Sequence, residues 1–295
     1  MKRVLILMAI AAIAQPSLAQ DASAPASNAP TSDAQSAEDG WDVFRDPARP
    51  MLMAYADFAN GVGLAVRCVG RSYEAVITGL PSVRTQSRPL RLRFAGQDAD
   101  IVQRWNVAQD GTVATSNFPA RFARAVRQGG SLGVIVPDGA EDGRDLRYAL
   151  DLPSSGAAVD QTLTACGLPT IDPRDTQIST LGANGLPEGL VWLERPRPQF
   201  LPGRERERLA SRGFAILTCM AGADGRLRDC TVESEYPSGS GFGETAMTGV
   251  GNARLGSARR GAPIGPSVIS FRFGFETNMG VAQRSQGLPH ADTPN

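Results

Sequence analysis

The chain has almost no lysine and almost no histidine. Its only lysine is Lys2, and its single histidine, His290, sits in a polar stretch near the C-terminus. Serine–histidine and cysteine–histidine catalysis both place an imidazole base beside the nucleophile, and neither of the two folded regions expected below carries one. A serine–lysine dyad is excluded in the same way once Lys2 is removed. Charge of one sign is lacking too. The 30 basic and 30 acidic residues give a formal net charge of zero, which removes the electrostatic case for a general nucleic-acid binder. Long apolar runs are missing after residue 14. The one near the start, Val4 to Ala14, spans 11 residues, about half of the roughly 20 that a membrane-crossing helix needs. It follows Lys2-Arg3 and precedes Ser17-Leu18-Ala19. That is the charged start and small-residue end of a secretory signal peptide, cleaved after Ala19. The expected compartment is the periplasm, where disulfides form. The alternative is an uncleaved segment that anchors the chain in the inner membrane, facing the periplasm.

Glycine (32) and proline (21) are plentiful, which favours short strands and many turns over long helices. Residues 1–19 are read as the signal peptide and 20–40 as an Ala/Ser/Pro/Asp-rich disordered leader. A β-rich region follows over 41–169. Leu64 to Val69 and Tyr73 to Ile77 flank Gly70-Arg71 as a hairpin. Leu90, Leu92 and Phe94 alternate with arginines and point to a core. Ile101 to Val107, Thr112 to Ala114, Leu132 to Val136 and Leu146 to Leu152 read as further strands. Helices are expected over Pro119 to Arg127, ended by Gly129-Gly130, and over Ala157 to Ala165. Residues 170–190 lack periodicity and read as a linker. A smaller domain is expected over 191–276 and a disordered polar tail over 277–295. The fold class is therefore α+β: an antiparallel β-rich domain, then a small domain.

The four cysteines are Cys68, Cys166, Cys219 and Cys230. Asp224-Gly225 is a favoured two-residue hairpin turn, and with it paired residue numbers sum to 449. Cys219 and Cys230 meet that sum, so they face each other across the hairpin within disulfide reach. Cys68 and Cys166 remain as the second pair, tying the start of the first domain to its end. The loop-entropy gain is about 4–5 kcal/mol for the long loop and about 3 for the short one. A zinc site would need histidines or a tighter cysteine cluster, so no metal is expected, and no cofactor is implied.

Other motifs carry little chemistry. Gly239-Ser240-Gly241-Phe242-Gly243 lacks the lysine of a phosphate loop. Arg204-Glu205-Arg206-Glu207-Arg208 reads as a solvated charge run. Asp98, Asp100, Glu141, Asp142 and Asp145 sit in charged turns. They are the residues that a carboxylate-dependent envelope hydrolase would have to use, and that is one alternative function.

The stretch GFAILTCMAGADGRLRDCTVESEYPSGSGFGETAM, followed by RRGAPIGPSVISFRFGF, resembles the C-terminal domain of the TonB energy-transducer family. The parts are the Gly-led strand from Gly213, the Asp224-Gly225 turn, Pro237, Gly241-Phe242-Gly243 with Ala246, Gly261-Ala262-Pro263-Ile264, and the alternating Ile269, Phe271, Phe273 and Phe275. Trp192 with Pro196 and Pro198 is similar to the family's lead-in. The resemblance implies a three-stranded antiparallel sheet with one helix, and a module that binds extended peptides. Gly249 and Gly251 predict a short helix. The chain is expected to be a non-enzymatic periplasmic protein. Its partners would be extended segments of outer-membrane transporters or other envelope proteins. They would add as a strand to the final strand, along the backbone of Val268, Ser270 and Arg272. A membrane-anchored accessory TonB transducer is the second alternative, and a homodimer is left open. Residues 41–169 are faintly similar to small periplasmic proteins of the invasion-associated locus B type, which assigns no function.

Overall fold

In the computed structural model, the described residues are 35–36, 40–108, 110–178, 181–182, 185–199, 212–276 and 285–286. The signal sequence, nearly all of the leader, the run from Arg204 to Arg208 and His290 lie outside them.

Alternating apolar residues build the larger layer. Ten strands form one antiparallel sheet: β1 (Gln35–Ser36), β2 (Asp42–Asp46), β3 (Met51–Asp57), β4 (Gly63–Val69), β5 (Ser72–Thr78), β6 (Ser87–Phe94), β7 (Ile101–Val107), β8 (Ala114–Thr115), β9 (Gly130–Val136) and β10 (Leu146–Leu152). Their order is β1-β2-β3-β4-β5-β8-β7-β6-β9-β10. Leu64 and Val66 on β4, Leu90 and Leu92 on β6, and Leu132 and Val134 on β9 are all buried on one side. Each such side chain contributes about 1.5–3 kcal/mol relative to exposure. Two helices cover that side, α1 (Pro119–Val126) and α2 (Ala157–Ala165). Phe122 on α1 meets Trp105 on β7 edge-on, with ring centroids 5.2 Å apart. Pro119 opens α1, where its missing N–H costs nothing, and Gly129 closes it at φ +70°.

Residues 170–190, read as a linker, hold a short helix α3 (Arg174–Ile178), and Ile178, Leu181 and Leu186 are buried. The strand β11 (Leu190–Glu194) follows and pairs with β14 (Arg254–Ser257), a pairing with no clear signal in the sequence.

The second sheet has the order β13-β12-β15-β16, from β12 (Arg212–Ala221), β13 (Leu227–Tyr236), β15 (Ser267–Glu276) and β16 (Ser285–Gln286). This is the expected antiparallel three-stranded sheet plus a two-residue fourth strand. Helix α4 (Phe242–Thr248) is short and ends at Gly249. Ile269, Phe271, Phe273 and Phe275 do share the face under it, and Phe275 stacks on Phe242 at 4.7 Å.

The hairpin differs from expectation in an instructive way. Its loop has three residues, 223–225: the Gly222 N–H donates to the Arg226 carbonyl at 2.9 Å, and Gly225 has φ +75°. Pairs beside it therefore sum to 448, as in Met220 with Arg228. The register then shifts at Asp229, which has φ +50°, and Thr218 pairs with Thr231. This bulge restores the sum of 449 and sets Cys219 against Cys230 after all. Gly225 has a second duty, because a Cβ there would lie 2.1 Å from the Leu255 carbonyl oxygen.

Candidate functional site

Both expected disulfides are present. Cys68 and Cys166 join β4 to the end of α2, with Cα atoms 5.5 Å apart. Cys219 and Cys230 join β12 to β13 at 4.0 Å. None of the four is free. Two disulfides point to an oxidising, exported compartment. No helix among the described residues is long and apolar enough to cross a membrane.

The face of the second sheet away from α4 packs against the first layer. Phe118, Ile178, Phe214, Ile216 and Val268 form a small apolar cluster there. Beside it lies a polar network. Arg124 on α1 grips Asp175 on α3 with two bonds of 2.6 and 2.7 Å, and donates to the Pro169 carbonyl at 3.2 Å. Arg174 grips Asp172 at 2.6 Å and donates to the Thr231 hydroxyl at 3.0 Å. Burial pushes the Asp172 carboxyl up, but the hydrogen bonds and charge of Arg174, with the charge of Arg124, hold it below its ordinary value. Glu233 sits at a second bulge of β13 and is 9% exposed. Bulges re-aim side chains. Burial raises its carboxyl, against the opposing pull of the Thr218 hydroxyl and the charges of Arg174 and Arg124. Ser234 donates to the Asn117 carbonyl at 2.9 Å and closes the junction.

Two cavities open at this junction. One, of about 690 Å³, is lined by Arg71, Arg124 and Arg174 and by Asp172, Glu233, Glu235 and Glu244. Its carboxylates match or outnumber its arginines. The other, of about 820 Å³, is lined by Arg84, Arg212 and Arg272 with Asp110 as the one carboxylate among the described lining residues. Asp110 is occupied with the Thr112 N–H at 3.0 Å. Arg272 lies over the Phe214 ring at 4.0 Å, and Phe214 stacks on Tyr236 at 5.8 Å. Burial first, and then the charge of Arg104, lower the pKa of Arg272.

The expected peptide-binding residues lie on the outward side of β15. The Val268 N–H donates to Gln177 Oε1 at 3.3 Å. The Ser270 N–H donates to the Gly185 carbonyl at 2.9 Å. Gly185 is needed there, because a Cβ would lie 1.7 Å from the Ser270 carbonyl oxygen. Arg272 and Phe273 pair with Gln286 and Ser285. So β15 is not the outermost strand, and its first half is already covered by Gln177 and Gly185. Nothing in the sequence pattern of 170–190 foretold that cover.

Three of the five candidate hydrolytic carboxylates, Asp100, Asp142 and Asp145, are held by arginines. Arg93 holds Asp100 at 2.7 Å and Arg144 holds Asp142 at 2.5 Å. Arg91 binds Asp145 and approaches Asp100 at 3.9 Å. Asp98 and Asp100 line a third cavity, of about 640 Å³. The glycine stretch 239–243 forms a turn whose following helix is capped by an acid: Glu235 accepts the Gly243 N–H at 2.8 Å. A negative group already holds the place a phosphate would take.

No family model matches the chain, and no curated protein matches it. Among solved structures it is similar to a solution NMR structure of the Pseudomonas aeruginosa TonB C-terminal domain. That likeness has 20% identity, covers 30% of this chain and 87% of the other, and has a TM-score of 0.26. A TM-score that low carries no argument about function.

Proposed function

We propose that this is an exported, non-catalytic binding protein of the cell envelope that captures an extended peptide by strand addition to the second half of β15. One observation supports the reading. The outward side of β15 at Arg272 and Phe273 already accepts two residues of the chain's own C-terminal segment as an antiparallel strand. Main-chain hydrogen bonds supply the affinity in such additions, and alternate side chains supply the selectivity. Val268 and Ser270 play no part, since their amides are committed within the chain. Arg272 favours acidic segments. The partner class is an extended segment of an outer-membrane transporter or another envelope protein.

The test is an amide NMR titration of the mature, oxidised protein with N-terminal peptides of outer-membrane transporters. The Arg272 and Gly274 amides are expected to shift, and those of Val268 and Ser270 to stay. If no peptide perturbs residues 267–276, the reading fails.

A further inference from the structure

The larger junction cavity is notable for two arginines, Arg84 and Arg272, that pair with no carboxylate among the described residues. Arg272 makes no ion pair with any described residue, and its guanidinium lies over the Phe214 ring. Arg104 lies close enough to act on it by charge. Arg104 itself donates to the Ser87 hydroxyl at 3.1 Å, and its Nε is buried without a hydrogen-bond partner. Arg84 lines the same cavity from the connection before β6 and is exposed. A partly buried guanidinium normally has a carboxylate or its equivalent, because desolvating an unpaired charge is costly. Here the cavity lining gathers arginines, and the one carboxylate among its described residues, Asp110, is turned toward a backbone amide.

The walls say what would supply the missing charge. The guanidinium of Arg272, the ring of Phe214 and the ring of Tyr236 form a stack beside the cavity. Asn106, 8% exposed, adds a polar group to the lining. A cavity of about 820 Å³ lies in the range of small-molecule sites, roughly 300–1,000 Å³. Guanidinium forks match planar or tetrahedral oxyanions with two parallel bonds.

We propose that this cavity is a binding site for a small organic oxyanion, with the anionic group on Arg272 and Arg84 and a flat apolar body against Tyr236, whose ring is exposed at the end of that stack. Strand addition draws its affinity from the backbone of β15, and the Arg272 side chain, which biases it toward acidic segments, is where the two sites meet. The cavity places a small anionic effector next to the strand proposed to take a peptide.

The experiment titrates the mature, oxidised protein at low ionic strength with three probes that share one body: benzoate, phenyl phosphate and benzyl alcohol. Binding is followed by calorimetry and by the side-chain Nε–Hε signal of Arg272. Benzoate or phenyl phosphate is expected to bind saturably and move that signal, with the neutral alcohol at least tenfold weaker. The better of the two anions identifies the head group as carboxylate or phosphate. Arg272→Gln is expected to weaken the anion at least tenfold, and Arg84→Ala, at an exposed position, about threefold. Equal affinity for the alcohol and both anions overturns the proposal. So does an Arg272 signal that stays still at saturation, which is readable even where Arg272→Gln fails to fold. Neither result depends on whether any peptide binds β15.

Discussion

The two faces of β15 are both buried and are held by different chemistry. Under α4, the strand presents Ile269, Phe271, Phe273 and Phe275 to a continuous apolar cluster. On the opposite face it presents Val268, Ser270 and Arg272. There the partners are a five-residue apolar cluster, a hydroxyl pair and a layer of ion pairs. The first face has aromatic contacts at 4.7–6.2 Å and no demanding geometry beyond packing. The second must satisfy each polar group individually, because an unpaired one costs more than a pair gains. The contrast suggests a division of labour. The aromatic face makes the small sheet stable, and the polar face fixes how that sheet sits against the larger layer.

The largest expected effect comes from breaking the aromatic face. Phe273→Ala removes a fully buried ring and is expected to cost about 3–5 kcal/mol. Ser270→Ala, one face over on the same strand, is expected to cost about 1 kcal/mol. Urea denaturation of both variants checks the ratio, and similar losses would erase the distinction between the faces. Next is the ion layer. Asp175→Ala leaves Arg124, 6% exposed, without its two-bond partner, and about 3 kcal/mol is expected to be lost. Calorimetric melting reads this, and loosening of the junction should appear as faster amide exchange in α3 before β12.

The smallest effect is also the one with a sign that depends on pH. Glu233 has its folded-state pKa raised above its ordinary 4.5 by burial. The contribution is therefore fully present below the unfolded value and is lost as pH rises through the folded one. Asp172, shifted the other way, contributes stability above its unfolded value that is lost as pH falls. Glu233→Gln is expected to stabilise the protein by up to about 1 kcal/mol near neutral pH, with the gain shrinking to nothing below pH 4.5. Melting curves at the two pH values decide it, and a constant difference would show that burial of the charge is not the cause.

Much of the larger sheet is legible because its strands alternate. Leu90 and Leu92 face inward between outward arginines, and no other secondary structure accommodates that period. β2 and β3 are hidden for the same reason in reverse. In β3 the buried residues are Leu52, Ala54 and Ala56, while Met51, Met53 and Tyr55 on the other side are also apolar. The alternation is present in burial and absent in hydropathy. The junction is opaque to sequence reading because its members lie far apart. Arg124 and Asp175 are 51 positions apart, and Arg174 and Thr231 are 57, so no local spacing announces them. The cover over β15 came from a glycine, Gly185, whose role depends on a carbonyl in a strand not yet formed when the pattern is read.

The hairpin between Cys219 and Cys230 has a consequence for how such a chain can change. Its loop is one residue longer than the tightest turn, and the bulge at Asp229 adds one residue back on the other arm. Side chains alternate between faces with a period of two. A residue added to the tip of the loop leaves both arms, and so both sulfurs, where they are. A residue added between Cys219 and Ala221, with no new bulge to absorb it, would move one cysteine a step along its strand and turn its sulfur to the other side of the ribbon. The cystine therefore acts as a check on the length of the arms, and leaves the tip free to vary.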